Sequence, residues 1–257
     1  MPSEFVRFFD PDSDDFLYGK LEGESITAFD DAPWYGGQAT NEVFSLGSVV
    51  LKAPIEPSKI VCIGLNYHAH VAASQSADEA PAYPLIFLKP SSAVIGLGES
   101  IVHPPQSQRV DYEAELGVVI GREAKNVSED DADRYIFGLT CVNDVTARDL
   151  QKKDGQWSRA KGFDTFCPVG PTIVTDVDFS DLKVEGILNG EVKQSGRTSL
   201  MIFKIPYLIS YISSIMTLYP GDLISTGTPS GIGPMVPGDS VEVVVENVGR
   251  LINPIIG

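Results

Sequence analysis

Cysteine, histidine and basic side chains are all scarce in these 257 residues: three cysteines, three histidines, and 19 lysines and arginines against 35 acids. Each shortage excludes something. Cys62, Cys141 and Cys167 are odd in number, widely spaced and free of any CxxC pair, so neither a disulfide framework nor a thiolate zinc site is expected. A net charge of −16 works against a sequence-independent hold on nucleic acid or an anionic membrane, both of which depend on a basic surface. A small molecule is the expected partner. The one long apolar run, residues 200–219, is interrupted by Lys204, Pro206 and three serines, which suits a buried helix after Pro206 rather than a membrane span. The opening MPSEFVRFFDPDSDD lacks the basic start and apolar run of a secretory leader, so a reducing cytoplasm is the expected location.

What is plentiful is turn chemistry. With 24 glycines and 18 prolines punctuating short runs rich in Val, Ile and Phe, the chain reads as α+β, mainly β. FVRFFD, DFLYGKLEG and ESITAFD predict a small β-meander module over 1–55, closed by the Pro-containing KAPIEPSK, with a larger catalytic domain over 56–257. In that larger part KIVCIGL, PLIFLKP and DYEAELGVVIG predict strands, SEDDADRY a short capped helix, and Asn189-Gly190 a type I′ hairpin turn.

Side chains alternate along a strand, so Glu113 and Glu115 share a face of DYEAELGVVIG. Asp144 follows where the apolar GLTCV ends. Three carboxylates without cysteine form a hard, all-oxygen set suited to Mg²⁺ or Mn²⁺; a solvated acidic face is the alternative reading. If DVTARDLQ is helical, Asp144, Arg148 and Gln151 line one face and bind a metal with a carboxylate beside it, or simply form a surface ion pair. Lys161 stands in a segment poor in charge, and Thr228 in a glycine-rich GTPSGIG loop that either presents donors to an anion or makes a tight turn. His68 and His70 follow a buried strand; one reading is a cupin-type metal pair, but Ser74 and Gln75 stand where that pattern needs glutamate. The other is a general base.

Taken together, KIVCIGLNYHAH, FLKP, DYEAELGVVIG, NDVTARDLQ, KGFDTFCPVGP and GTPSGIG, in that order over about residues 52–254, resemble the fumarylacetoacetate hydrolase family. The resemblance implies a mixed β-roll or barrel-like C-terminal domain, a Mg²⁺ or Mn²⁺ ion, a homodimer, and a 2-oxo acid or 1,3-dicarbonyl substrate. By motif position it implies Glu113, Glu115 and Asp144 as metal ligands, His70 and Lys161 as catalytic residues, and Arg148, Gln151 and Thr228 as substrate contacts. Hydrolytic members pair the histidine with a glutamate three residues on, where this chain has Ala73; Asp78 or Glu79 are the nearest acids able to substitute. C–C hydrolysis of an acylpyruvate through a metal-bound enolate is the first expectation. Isomerisation or decarboxylation of a 2-oxo diacid, which passes through the same enolate, is the second, and a ligand-binding scaffold without catalysis the third. The polar segment 68–82 is expected to close over substrate as a lid.

Overall fold

The computed structural model describes residues 2–73 and 79–257. Five short strands open the chain: β1 (Glu4–Asp10), β2 (Asp15–Glu22), β3 (Ser25–Phe29), β4 (Ala39–Ser45) and β5 (Val50–Lys52). Next come β6 (Ile60–Gly64), helix α1 (His68–Ala73), β7 (Leu85–Lys89), β8 (Val94–Ile95), β9 (Ile101–Val102), β10 (Val110–Tyr112), β11 (Ala114–Ile120), β12 (Ile136–Asn143) and β13 (Thr146–Ala147). Helices α2 (Arg148–Asp154) and α3 (Ser158–Lys161) lead into β14 (Cys167–Val174) and the hairpin β15 (Lys183–Leu188) and β16 (Glu191–Arg197). The chain finishes with α4 (Ile205–Ile215), β17 (Leu223–Ser225), β18 (Gly233–Met235), β19 (Ser240–Val245) and β20 (Gly249–Ile256).

The predicted meander forms, with β1 to β4 paired antiparallel around Val6, Phe8, Ile26 and Ala28. It is not a separate sheet, because β1 also pairs with β14 and continues into the order β14-β12-β11-β17-β6-β7. Division into folding units at residue 55 is a proposal that limited proteolysis would test, since the sheet runs unbroken across it. Two smaller sheets, β13-β10-β18 and β16-β15-β19-β20-β9, complete the fold. Among the described residues no sheet closes, and the expected mainly-β, α+β architecture takes the form of three open sheets around shared cores.

Strand β11 shows why the centre is apolar on both faces. Leu116, Val118 and Ile120 enter one core with α4 and β19, while Val119 enters another with Ile60, Val142 and Val169. All seven of its residues are buried, which is why the sequence reads as a near-continuous apolar run after Glu115. Helix α4 buries Ile205, Leu208, Ile209 and Ile212, the i, i+3, i+4, i+7 stripe of an amphipathic helix. Pro206 falls in its first turn, where the missing N–H has no partner to lose. No helix among the described residues is long and apolar enough to cross a membrane.

Two local expectations change. SEDDADRY gives a 3₁₀ helix over Glu129–Tyr135, and the Ser128 hydroxyl donates to the Asp131 carboxylate at 2.8 Å instead of capping a backbone N–H. DYEAELGVVIG is two strands broken at Glu113, β10 belonging to the three-stranded sheet and β11 to the large one. The hairpin is as predicted: Asn189 and Gly190 both take positive φ, 52° and 80°, the backbone a type I′ turn requires. All three cysteines are buried and free.

Candidate metal and catalytic cleft

The break at Glu113 builds the site. Antiparallel pairing sets Ala114 opposite Asn143, so the residue before β11 and the residue after β12 become neighbours: Glu113 and Asp144. Backbone hydrogen bonds fix them, with the Asp144 N–H donating to the Glu113 carbonyl at 2.9 Å and the Glu113 N–H to Asn143 Oδ1 at 2.9 Å. Glu115 lies two residues on. One oxygen from each of the three carboxylates falls within 4.8 Å of the others, and all three residues are buried.

Three acids this close and this dry need positive charge beside them. Lys161 Nζ donates to Asp144 Oδ2 at 2.5 Å and to Glu113 Oε2 at 3.1 Å. Lys89 Nζ donates to the other Asp144 oxygen at 2.6 Å and to the Val145 carbonyl at 3.0 Å. Arg148 bonds Glu113 Oε1 and spans to Asp111 at 3.0 Å, while its Nη1 donates to Gln151 Oε1 at 2.7 Å. Among the described residues no cation bonds Glu115; it accepts from Ser225 Oγ at 2.5 Å and the Gly227 N–H at 2.8 Å.

The protonation states follow. Burial would raise the Glu113 carboxyl, but the charges of Lys161 and Arg148 outweigh it and hold the group well below the usual carboxylate range. Burial pushes Glu115 up to about 8, and the charges of Asp144 and Glu113 add to the effect. Burial would lower the Lys161 ammonium; Asp144 and Glu113 reverse this and keep it protonated. Burial lowers His70 below its ordinary 6.5, helped by Arg148 and Lys161 and opposed by Glu113, so its imidazole is neutral at pH 7. The donor set fits a divalent cation. It consists of hard carboxylate oxygens converging on one point, with no thiolate or imidazole among them, and such a set suits Mg²⁺ or Mn²⁺.

His70, Glu113, Glu115, Asp144, Arg148, Gln151, Lys161 and Thr228 all line one narrow cleft, together with the apolar Ile63, Phe87 and Trp157. The cleft has about 20 Å³ of room, against about 450 Å³ in the apolar groove beside α4. Its interest is therefore chemical, not volumetric. His68, the other half of the HxH pair, is exposed, because successive residues on α1 point different ways; a two-histidine metal pair is not formed. The predicted single helical face is also corrected: α2 begins only at Arg148, so Asp144 reaches the cleft from a strand end and only Arg148 and Gln151 share a helix. GTPSGIG does present a backbone N–H to an anion, but that anion is the chain's own Glu115. Of the acids near Ala73, Glu79 is exposed and Asp78 lies outside the described residues, as does 74–78, the centre of the expected lid.

Sequence reasoning missed Lys89, Ser225 and Asn143. A lysine closing an apolar strand in FLKP was the available signal for the first, since such a position leaves the ammonium no water. Nothing local marked the other two, whose role depends on which strand pairs with which.

Comparison with known proteins places this geometry in context. A family model described as "Fumarylacetoacetate (FAA) hydrolase C-terminal" matches residues 59–256, and one described as "Rv2993c-like, N-terminal" matches residues 4–54. Protein MJ1656 of Methanocaldococcus jannaschii is 55% identical over 199 residues, covering 77% of this chain and 83% of that one. Oxaloacetate tautomerase YisK of Bacillus subtilis is 43% identical over 226 residues, 83% of this chain and 75% of its own. The crystal structure of 2-hydroxyhepta-2,4-diene-1,7-dioate isomerase from Mycobacterium marinum superposes with a TM-score of 0.91 at 44% identity, covering 99% of this chain and 98% of that one.

Proposed function

The chain belongs to the fumarylacetoacetate hydrolase family, and from that premise we propose that it is a divalent-metal-dependent enzyme interconverting the keto and enol forms of a small 2-oxo diacid. The observation that carries this reading is the pairing of a three-carboxylate cluster with two buried lysines and an arginine, beside a histidine that has Ala73 three residues on. A bound Mg²⁺ or Mn²⁺, held by Glu113, Glu115 and Asp144, would stabilise negative charge developing on a ketone oxygen.

The remaining steps belong to the protein. Arg148 and Gln151 offer a planar cation and an amide to a substrate carboxylate. Thr228 also lines the cleft, its hydroxyl donating to the Ala114 carbonyl at 2.8 Å. Lys161, kept as an ammonium by its neighbours, offers a proton to the enol carbon or charge to the enolate oxygen. His70, neutral at pH 7, takes the proton from the carbon next to the ketone. Phe87 and Trp157, both half-buried, meet edge to face at 5.2 Å, and the cation of Lys161 lies 4.9 Å from the Phe87 ring centre, giving the cleft an apolar side beside the acids. The same proton movement along a conjugated dienol diacid is an isomerisation. A cytoplasmic homodimer working with Mg²⁺ or Mn²⁺ completes the proposal, and light scattering on the purified protein tests the dimer.

Enol-to-keto conversion of oxaloacetate, followed by the loss of enol absorbance with and without Mg²⁺, is the direct test. A rate no faster than the uncatalysed one, with metal present, would reject the reading. With Mn²⁺ saturating, so that Glu115 is held ionised, turnover is expected to stay level from neutrality down through pH 6.5 and to fall only at lower pH, because burial lowers His70 and the base is lost on protonation; the charged groups facing it are Glu113, Arg148 and Lys161.

C–C hydrolysis of an acylpyruvate is the second reading, favoured by the arrival of His70 in the cleft. Hydrolysis needs an imidazole that activates water and bears positive charge, and Ala73 gives it no acidic partner on α1. We expect slow acylpyruvate cleavage that Ala73→Glu accelerates, within the roughly 10²–10⁴-fold range of base and orienter effects, while tautomerisation stays level. Wild-type cleavage faster than tautomerisation would reverse the order of the two readings.

A further inference from the structure

The hairpin β15–β16 lies in the five-stranded sheet, outside the cleft, yet one of its side chains reaches the carboxylate strand. Gln194 is fully buried at 0% exposure. Its Oε1 accepts from the Ala114 N–H at 2.9 Å, and its Nε2 donates to Thr228 Oγ1 and to the Pro229 carbonyl, both at 2.8 Å. Thr228 Oγ1 in turn donates to the Ala114 carbonyl at 2.8 Å. Ala114 is the residue between Glu113 and Glu115, so both of its backbone polar groups are held by side chains, one of them Gln194 and the other oriented by it.

The fold makes room for this reach. The β15–β16 register shifts between Gly186 and Ile187, an irregularity that re-aims the side chains around it. Gly186 lies beneath the amide, and a Cβ there would come within 2.6 Å of Gln194 Oε1. The Asn189-Gly190 turn sets Ile187 opposite Val192, and the shift beyond it, which passes over Lys193, brings Gln194 opposite Gly186.

We infer that Gln194 is a positioning residue, holding the Glu113–Glu115 backbone at the angle that converges the two carboxylates with Asp144 and setting the Thr228 hydroxyl in the same stroke. The inference rests on the reading that these three acids hold a divalent ion. A buried N–H left without an acceptor is costly, and the chain at Ala114, where it leaves one sheet for another, can relieve that cost by turning. Cation sites tolerate displacements of only about 0.5 Å, so such a turn separates the ligands.

The test is Mn²⁺ titration calorimetry on metal-free wild type, Gln194→Met, Gly186→Ala and Val184→Ala, each checked for folding by circular dichroism. Gln194→Met and Gly186→Ala are expected to weaken Mn²⁺ by about 10–100-fold, the usual effect of losing support behind a metal ligand. Val184→Ala empties buried volume in the same hairpin and is expected to lower the melting temperature without moving the Mn²⁺ affinity. Should Gln194→Met not fold, Gly186→Ala, which keeps every hydrogen-bonding group, decides. Wild-type affinity in both folded variants, or equal weakening in Val184→Ala, would overturn the inference while leaving the metal site standing. A wild type that binds no Mn²⁺ would overturn the metal reading, and this inference with it.

Discussion

Glu115→Gln is expected to cost about a thousandfold in turnover and to weaken Mn²⁺ binding severely, while leaving the fold intact. Glutamine keeps an oxygen able to accept from Ser225 Oγ and the Gly227 N–H, which now bond the carboxylate at 2.5 and 2.8 Å, so neither donor is stranded. What it removes is one of three anionic ligands converging within 4.8 Å. An ion poised against developing charge supplies several kcal/mol of stabilisation, and losing about 4 kcal/mol is about three powers of ten in rate. Calorimetry with Mn²⁺ and the oxaloacetate enol assay read the two effects. Unchanged Mn²⁺ affinity in this variant would remove Glu115 from the ligand set.

Lys89→Met should unfold the protein far more readily. The Lys89 ammonium is wholly shielded from water and bonds a carboxylate that is 2% exposed, so methionine fills the same space and leaves Asp144 with a buried charge answered by Lys161 alone. Breaking a buried pair in this way costs about 3–5 kcal/mol, which for a chain of this size lowers the melting temperature by roughly 6–20 °C. Added Mn²⁺ is expected to recover part of the loss, because a ligand that binds only the folded state stabilises it and here also restores the missing positive charge. The rise in melting temperature on adding Mn²⁺ should therefore exceed that of the wild type. A melting temperature equal to wild type would show that Asp144 does not need this partner.

Much of the site is legible in one dimension because strand periodicity and motif order survive there. Glu113 and Glu115 sit two apart on an extended chain, and Asp144 ends an apolar run, so spacing marks the three acids as candidates while leaving a solvated face open; the pairing of β11 with β12 brings them together. The residues that make the set tolerable do not follow from spacing. Lys89 and Lys161 are 72 residues apart yet bond opposite oxygens of the same carboxylate, and only the pairing of β6 with β7 and the seating of α3 bring them there. The expectation for Asp144 failed in an instructive way: i, i+4 spacing to Arg148 is equally met by a helix and by a strand end followed by a helix, and periodicity over one turn does not separate them.

The sequence by itself determined the class of the protein: mostly strand, acidic, with free cysteines and three candidate carboxylates, because composition and alternation are local properties of the chain. It also determined the hairpin at Asn189-Gly190, since positive φ at two successive residues depends on those residues alone. Tertiary structure decided the rest. It broke the carboxylate strand at Glu113, turned His68 out and His70 in, spent the GTPSGIG amide on Glu115, and brought Gln194 from another sheet to hold the bend. Each of these depends on strand register, which is set by which faces can be buried together, and burial is a property of the whole chain.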